Sequence, residues 1–559
     1  MSGDGYLVGV DLGSTSLKAV VYDLEGNRVS SASRPTERAH PDPAHPEWTV
    51  WPPERIWGGA AEAIREAVAG IDRNAPRCGS SAGGAMVRSA TLRGASIRGV
   101  AVTGMGVDGL PIDAEGRWLY PFISWLDPRT EPQQRWWLET IGAERQFSVS
   151  GNQLWAVMSA LRILWMREHE PAILERARKW LLIEDFLNFM LCGRCATDYS
   201  MASNTLLLDQ RRRVWSDEII ALSGVRRELL PEPLPSGTVL GEVTRAAAEA
   251  TGLPAGTPVV LGGHDYLCAG LPAGTFRPGA ILDVTGTWEI VVAALPEPVL
   301  TREVLEMGIV VESHVARDTW AAMCASVAAD ALEWHRREWG AAPAPARAGR
   351  EGDDGTAGRT REEGPAASAA AGGDWEPIIA AARSSPAGAR GVLFLPHIAG
   401  STAPVVDPRA MGAFVGLRGL VGRADLTRAV FEGLDYQFRD ILRALATGLG
   451  HPAERVVAVG GAVQNEFWMQ NKADVTGLPI EVPAIDEATP LGAAILAGIG
   501  VGIYRDEADA YERVRKPGRV YEPDPRLRSV YDEGFARYRE LYPALRGIHH
   551  EIFRRSTPP

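Results

Sequence analysis

The feature that most limits what this chain can fold into is a short motif that occurs twice. Near the start, the apolar run Leu7-Val8-Gly9-Val10 leads into Asp11-Leu12-Gly13-Ser14-Thr15-Ser16 and then into Ala19-Val20-Val21. In the second half, Ala280-Ile281-Leu282 leads into Asp283-Val284-Thr285-Gly286-Thr287 and then into Ile290-Val291-Val292. Each reads as strand, tight turn, strand. Glycine lets the turn backbone approach a ligand closely, while amide and hydroxyl groups point into the bend. Two such turns facing one another form a clamp for a chain of phosphates. The repeated motif therefore predicts a nucleotide site between two similar lobes.

Length and charge agree with that frame. A chain of 559 residues has room for two or more domains, each burying its own core. The formal net charge of −12 argues against an extended nucleic-acid surface, which needs a basic stripe. No apolar run reaches membrane-spanning length; the softest stretch, residues 491–504, is short and broken by glycine. Met1-Ser2-Gly3-Asp4-Gly5 lacks the basic patch and apolar core of a signal peptide. A cytoplasmic protein without nucleic-acid or membrane partners is expected. The cysteines, Cys78, Cys192, Cys195, Cys268 and Cys324, are too scattered for a disulfide framework. Cys192-Gly193-Arg194-Cys195 has the spacing of half a zinc site but no second pair, so no metal is assigned there.

Two segments differ from the rest. Residues 77–96 are small and polar, and 340–373 contain no large apolar residue. The second cannot bury enough surface to offset its ordering entropy and reads as a disordered loop insertion. The domain boundary is placed where Gly252-Leu253-Pro254-Ala255-Gly256-Thr257-Pro258 punctuates the chain, giving lobes 1–257 and 258–559. Short buried strands are expected at 100–103, 259–261, 392–395 and 456–459, and helices at 155–169, 183–191, 426–447 and 466–476. The alternation indicates an α/β protein whose sheets are covered by helices.

Three further constellations carry chemistry. Gly262-Gly263-His264-Asp265 follows a predicted strand, which places Asp265 to accept a proton from a hydroxyl; the alternative is a helix cap. His264 reads as structural. Gly460-Gly461-Ala462-Val463-Gln464-Asn465 follows another strand and opens a helix, a seat for a flat or anionic group. It is neither a Walker loop nor a GxGxxG fingerprint. Trp125-Leu126-Asp127-Pro128-Arg129-Thr130 offers an aromatic plane, a carboxylate and a guanidinium, suited either to holding a sugar or to a structural turn.

In this order and spacing, the segments resemble the FGGY carbohydrate kinases. The resemblance is carried by Asp11 to Lys18, Trp125 to Arg129, Gly263-His264-Asp265, Thr285-Gly286-Thr287 and Gly460-Gly461-Ala462. Glu432-Gly433-Leu434 and Thr489-Pro490-Leu491-Gly492-Ala493-Ala494 add to it. The resemblance runs from about Tyr6 to Tyr504. It implies two ribonuclease H-like lobes of the actin and Hsp70-like ATPase type around a central cleft. By resemblance, Asp11 sits near Mg²⁺, and Gly13, Ser14, Thr15, Ser16, Lys18, Gly286 and Thr287 near the phosphates of ATP. Gly460, Gly461 and Asn465 fall at the adenosine, and Asp265 at the catalytic base.

The expected activity is ATP-dependent phosphorylation of a small sugar or polyol, with in-line attack by its hydroxyl on the γ-phosphate. Val107, Asp108, Trp125, Asp127, Arg129 and Asp265 are the expected substrate contacts. The stretch Thr103-Gly104-Met105-Gly106-Val107-Asp108-Gly109 lacks both the Arg-Glu pair of glycerol kinases and the Met-His pair of xylulokinases. Gly-His-Asp, Trp-x-Asp-Pro-Arg and Gly-Thr-x-Glu look closest to an L-fuculokinase-like branch. The competing reading is a non-catalytic sugar or nucleotide sensor on the same fold; the resemblance also suggests a homodimer.

Overall fold

The computed structural model describes residues 5–74, 97–286, 288–339, 375–450 and 452–556. Thr287, Cys78 and the segments 77–96 and 340–373 lie outside them.

Two sheets organise the chain. The first is built from β1 (Tyr6–Leu12), β2 (Ser16–Asp23), β3 (Arg28–Pro35), β4 (Ile97–Gly104), β5 (Val239–Glu242) and β6 (Pro258–His264), in the order β5-β6-β4-β1-β2-β3. Leu7, Val8 and Val10 of β1 are all buried, so both faces of this strand are covered, as an unbroken apolar run requires. The second contains β7 (Ala280–Thr285), β8 (Trp288–Leu295), β9 (Val310–Ser313), β10 (Trp320–Val327), β11 (Arg455–Val459), β12 (Ile480–Val482) and β13 (Arg519–Tyr521). Its order is β9-β10-β8-β7-β11-β12-β13. In each sheet a hairpin, β1–β2 or β7–β8, is continued on one side by a parallel strand, β4 or β11. The duplication predicted from the two turns is present in the strand pairing.

Two helices lie between the sheets. α1 (Asp265–Ala273) follows β6, and α2 (Ala488–Gly500) comes from the far end of the chain. Leu7, Val20, Ala101 and Val260 of the first sheet share one core with Leu282, Val292 and Val457 of the second. Leu267 and Leu271 of α1 and Leu491, Ile495 and Leu496 of α2 fill it. Small residues permit the close packing: a Cβ on Gly9 would lie 1.9 Å from the Pro490 carbonyl oxygen, and one on Gly492 1.9 Å from that of Cys268.

This architecture moves the boundary. The expected division at 257/258 separates β5 from β6, which are hydrogen-bonded neighbours in one sheet. The passage between sheets is α1, and the second sheet begins at Ala280. The strand expected at 392–395 is Leu393–Leu395, which pairs only with Ala413–Val415 in a separate two-stranded ladder.

Candidate active site

The first turn is held from two sides. Gly13 N–H donates to the Ser16 carbonyl at 3.2 Å, while the Thr36 hydroxyl donates to the Gly13 carbonyl at 2.7 Å. Ser14, Thr15 and Ser16 retain exposure at its tip. Asp11 and Lys18 face each other in the β1–β2 register. Lys18 Nζ donates to both carboxylate oxygens of Glu487, at 3.1 and 3.0 Å, just ahead of α2. Burial and the neighbouring charge of Asp265 push Asp11 up to about 8; Lys18 opposes this and Glu487 adds to it. Asp11 thus feels the charges of Asp265 and Glu487, with Lys18 opposing them.

Asp265 is the first residue of α1, and its Oδ1 accepts the Tyr266 N–H at 2.6 Å. It is not the cap: His264 occupies that position and makes no capping bond with its side chain. One third of the Asp265 side chain is exposed. Burial raises its carboxyl, with Glu312 adding, against the opposing pull of His264 and the Tyr266 N–H. A partly open carboxylate with elevated proton affinity is suited to receiving a proton from a bound hydroxyl.

In the second sheet, the second turn and the glycine loop are in contact. Val284 of β7 pairs with Val459 of β11, so the turn at Gly286 and the loop at Gly460 emerge side by side. Gly460 has φ 104, and a Cβ there would sit 2.6 Å from the Thr285 carbonyl oxygen. Only glycine allows this approach. Gly460 and Gly461 are exposed, and Asn465 caps α3 (Glu466–Thr476) by accepting the Trp468 N–H at 3.1 Å. Beneath the turn lies a group that sequence reading missed. Lys472 Nζ, fully buried, reaches Asp283 at 2.6 Å and Glu289 at 2.5 Å. The charged residue inside the apolar run Ile281-Leu282-Asp283-Val284 was the available signal, since a buried carboxylate needs a partner.

The stretch expected to face the sugar turns inward, with Val107 and Asp108 both buried. Val107 has φ 68, and the Asp108 N–H donates to the Gly106 carbonyl at 2.9 Å, making a γ-turn of the rare positive-φ kind. The Val107 carbonyl accepts from the Ser159 hydroxyl at 2.6 Å and from Arg162 at 3.1 Å. Trp125 is half-buried beside it. Asp108, Asp127 and Arg129 do not open onto the cleft as expected. Asp108 is fully buried and paired with Arg162 at 2.6 Å and with the Trp51 indole N–H at 2.7 Å. Asp127 and Arg129 are likewise closed on each other at 2.6 Å, with the guanidinium 4.2 Å from the centre of the Trp48 ring. Their polar atoms bind protein, so these residues brace the loops that carry them. Arg162 also donates to the Ser124 carbonyl at 2.9 Å, joining the turn at Val107 to the strand that delivers Trp125.

Comparison with known proteins gives a consistent result. The model of the FGGY family of carbohydrate kinases, N-terminal domain, matches residues 6–271, and that of its C-terminal domain matches 283–501. The chain is 25% identical over 537 residues to the xylulose kinase of Staphylococcus epidermidis, covering 96% of each protein. It is 29% identical over 549 residues to the autoinducer-2 kinase of Enterobacter sp. strain 638, covering 97% of this chain and 95% of that one. The crystal structure of xylulose kinase from Rhodospirillum rubrum superposes with a TM-score of 0.80 at 26% identity, over 98% of this chain and 100% of that one.

Proposed function

This chain belongs to the FGGY family of carbohydrate kinases, and from that premise we propose a specific reaction: in-line transfer of the ATP γ-phosphate to a hydroxyl of a small ketose or polyol, with Asp265 as general base. The observation that carries the reading is Asp265 itself, a one-third exposed carboxylate of raised proton affinity at the start of α1, near enough to Asp11 for its charge to help push Asp11 up to about 8. Asp265 takes the hydroxyl proton as the oxygen attacks phosphorus, and the leaving oxygen departs on ADP. Gly13, Ser14, Thr15, Ser16, Gly286 and Thr287 line the phosphates, and Gly460, Gly461 and Asn465 seat the adenosine. Lys18 exchanges Glu487 for the phosphates when they arrive. Closure of the lobes excludes water as a competing nucleophile. The sensor reading has no support, since the base and Asp11 are both in place.

Mg²⁺ fits beside the same carboxylates. Three carboxylates against one lysine leave negative charge for a divalent cation to offset, yet no group of three ligands close enough to hold a metal occurs among the described residues. Such a site takes Mg²⁺ through one carboxylate, Asp11, together with the phosphates themselves. Bound there, the ion neutralises charge on the transferring phosphoryl group.

For the acceptor, two indications compete. Gly-His-Asp and Trp-x-Asp-Pro-Arg suggest an L-fuculokinase-like branch, whereas the relatives carry the names xylulose kinase and autoinducer-2 kinase. We keep a small ketose or polyol as the proposal, together with a homodimer in the cytoplasm. The test is ADP release with Mg-ATP across a panel including L-fuculose, D-xylulose and autoinducer-2, run beside Asp265→Asn. One acceptor giving turnover that the variant abolishes, with ATP binding retained, is the expected result. Turnover that survives in Asp265→Asn removes Asp265 as the base.

A further inference from the structure

The imidazole of His264 stands where three parts of the molecule meet. Its Nε2 accepts the Gly106 backbone N–H at 3.2 Å and lies 3.8 Å from Asp265 Oδ1. Its Nδ1 is 3.2 Å from the Asn204 amide nitrogen and 3.9 Å from Glu312 Oε2. Glu312 is itself held: the Tyr266 hydroxyl donates to Oε1, and the Asn204 amide donates to Oε2 at 3.1 Å. Glu312 belongs to β9 of the second sheet, whereas Gly106 and Asn204 precede β6 in the first lobe. The backbone N–H of His264 donates to the Ser200 hydroxyl at 2.9 Å, fixing the residue from behind.

The ring and the sugar-facing turn are fitted to each other. A Cβ on Gly106 would lie 2.9 Å from both Cε1 and Nε2 of the imidazole, so the ring occupies the space a side chain would need. Accepting an N–H leaves Nε2 unprotonated and puts the proton of the neutral ring on Nδ1, on the side of the Glu312 carboxylate, the acceptor there, since the Asn204 amide nitrogen can only donate. Protonation at Nε2 would break the bond to Gly106 and direct an N–H toward Asp265.

We propose that His264 is a positioning and specificity-determining residue: one imidazole ties the sugar-facing turn at Gly106 to the base Asp265, and Glu312 of the second sheet keeps it oriented. The inference rests on Asp265 being the base. The neutral ring is the working form, because the imidazolium would lose the turn and pair with the carboxylate that must accept the proton. Asp265, Glu312 and Asp198 are the charged groups facing the ring, with Tyr266 packed on it at 4.2 Å between ring centres. Burial lowers its proton affinity, but the nearby Glu312 carboxylate and the charges of Asp265 and Asp198 outweigh that and raise it. Activity is therefore lost as pH falls through a range above the ordinary imidazole value.

The test compares His264→Ala, His264→Gln, Gly106→Ala and the double variant Gly106→Ala/His264→Ala with the parent and Asp265→Asn. The acceptor is the one identified in the panel, and ATP KM and melting temperature monitor the fold. His264→Ala is expected to lose about 100-fold in kcat/KM for the sugar with ATP KM unchanged, the scale of a misplaced reacting group. His264→Gln, whose side-chain oxygen can accept the Gly106 N–H, recovers most of that loss and keeps its activity to lower pH than the parent. Gly106→Ala harms the parent but adds nothing in the His264→Ala background. The inference is overturned if His264→Ala keeps the parent's kcat, sugar KM and pH profile while Asp265→Asn is inactive. Equal penalties for Gly106→Ala in both backgrounds would also overturn it. Activity in Asp265→Asn would instead remove the base, and the inference with it.

Discussion

Lys472 is a fully buried cation held by two carboxylates. Its ammonium is buried against Asp283 and Glu289 and lies 4.6 Å from the Phe438 ring centre. Burial raises Glu289 to about 7; Lys472 pulls it back and Asp283 adds to the rise. The folded pKa thus lies above the ordinary 4.5, so the native state binds more protons than the unfolded chain between those values. Stability from this carboxyl is full below about 4.5 and declines as pH rises to about 7. Lys472→Met removes the only cation of the group and is expected to cost about 3–5 kcal/mol, as breaking a buried pair does. The uncompensated carboxyls then need protons to stay buried, so the loss of melting temperature should be larger at pH 8 than at pH 5.5. Equal losses at both would mean that the carboxylates find other partners. At this scale the sequence showed which residues carry charge but not where they point. Asp265 was legible because a motif places it at a strand end. Asp108, Asp127 and Arg129 were read as ligand contacts, yet their partners Arg162 and Trp48 are distant in sequence and close only in the fold.

Elements were legible where local chemistry ends them. The helix expected at 466–476 has those bounds because Asn465 caps one end and Gly477, in the left-handed conformation, closes the other. The helix expected at 155–169 begins only at Ser159, after the turn at Trp155 to Met158. Gly262 and Gly263, expected to follow the strand, lie within β6, where the register with β4 shifts. A Cβ on Gly262 would lie 1.9 Å from the Val102 carbonyl oxygen, so that glycine serves strand packing. Gly460 is the opposite case, a loop glycine with φ 104 pressed against Thr285. Gly460→Ala forces apart the turn at Gly286 and the glycine loop, which we propose seats the adenosine. Strain of about 1–3 kcal/mol at such a position corresponds to a rise of about 5- to 150-fold in ATP KM. Sugar KM should hold, because the sugar-facing turn lies in the other lobe. An unchanged ATP KM would show that this loop does not seat the nucleotide.

At the scale of the whole molecule, two distinct sheets, each packed on an apolar cluster of its own, share a further core between them. The punctuation at 252–258 looked like a linker because glycine and proline mark any surface turn; here they form only the connection between β5 and β6. No local signal reports that α2, drawn from the chain's far end, packs against β1 through Gly9 and against α1 through Gly492. This arrangement has a thermodynamic consequence. A fragment ending at residue 257 lacks β6, the strand between β4 and β5, and lacks α2, leaving Leu7, Val20 and Ala101 uncovered. Such a fragment is expected to stay unfolded, with dispersed amide resonances absent from its NMR spectrum. The intact chain should unfold in a single calorimetric transition despite its two sheets, because neither can lose α1 and α2 without exposing the other. Two resolved transitions, or a folded 1–257 fragment, would mean that each lobe closes its own core. A single transition would make the helix pair the coupling element, through which a ligand that stabilises one lobe stabilises both.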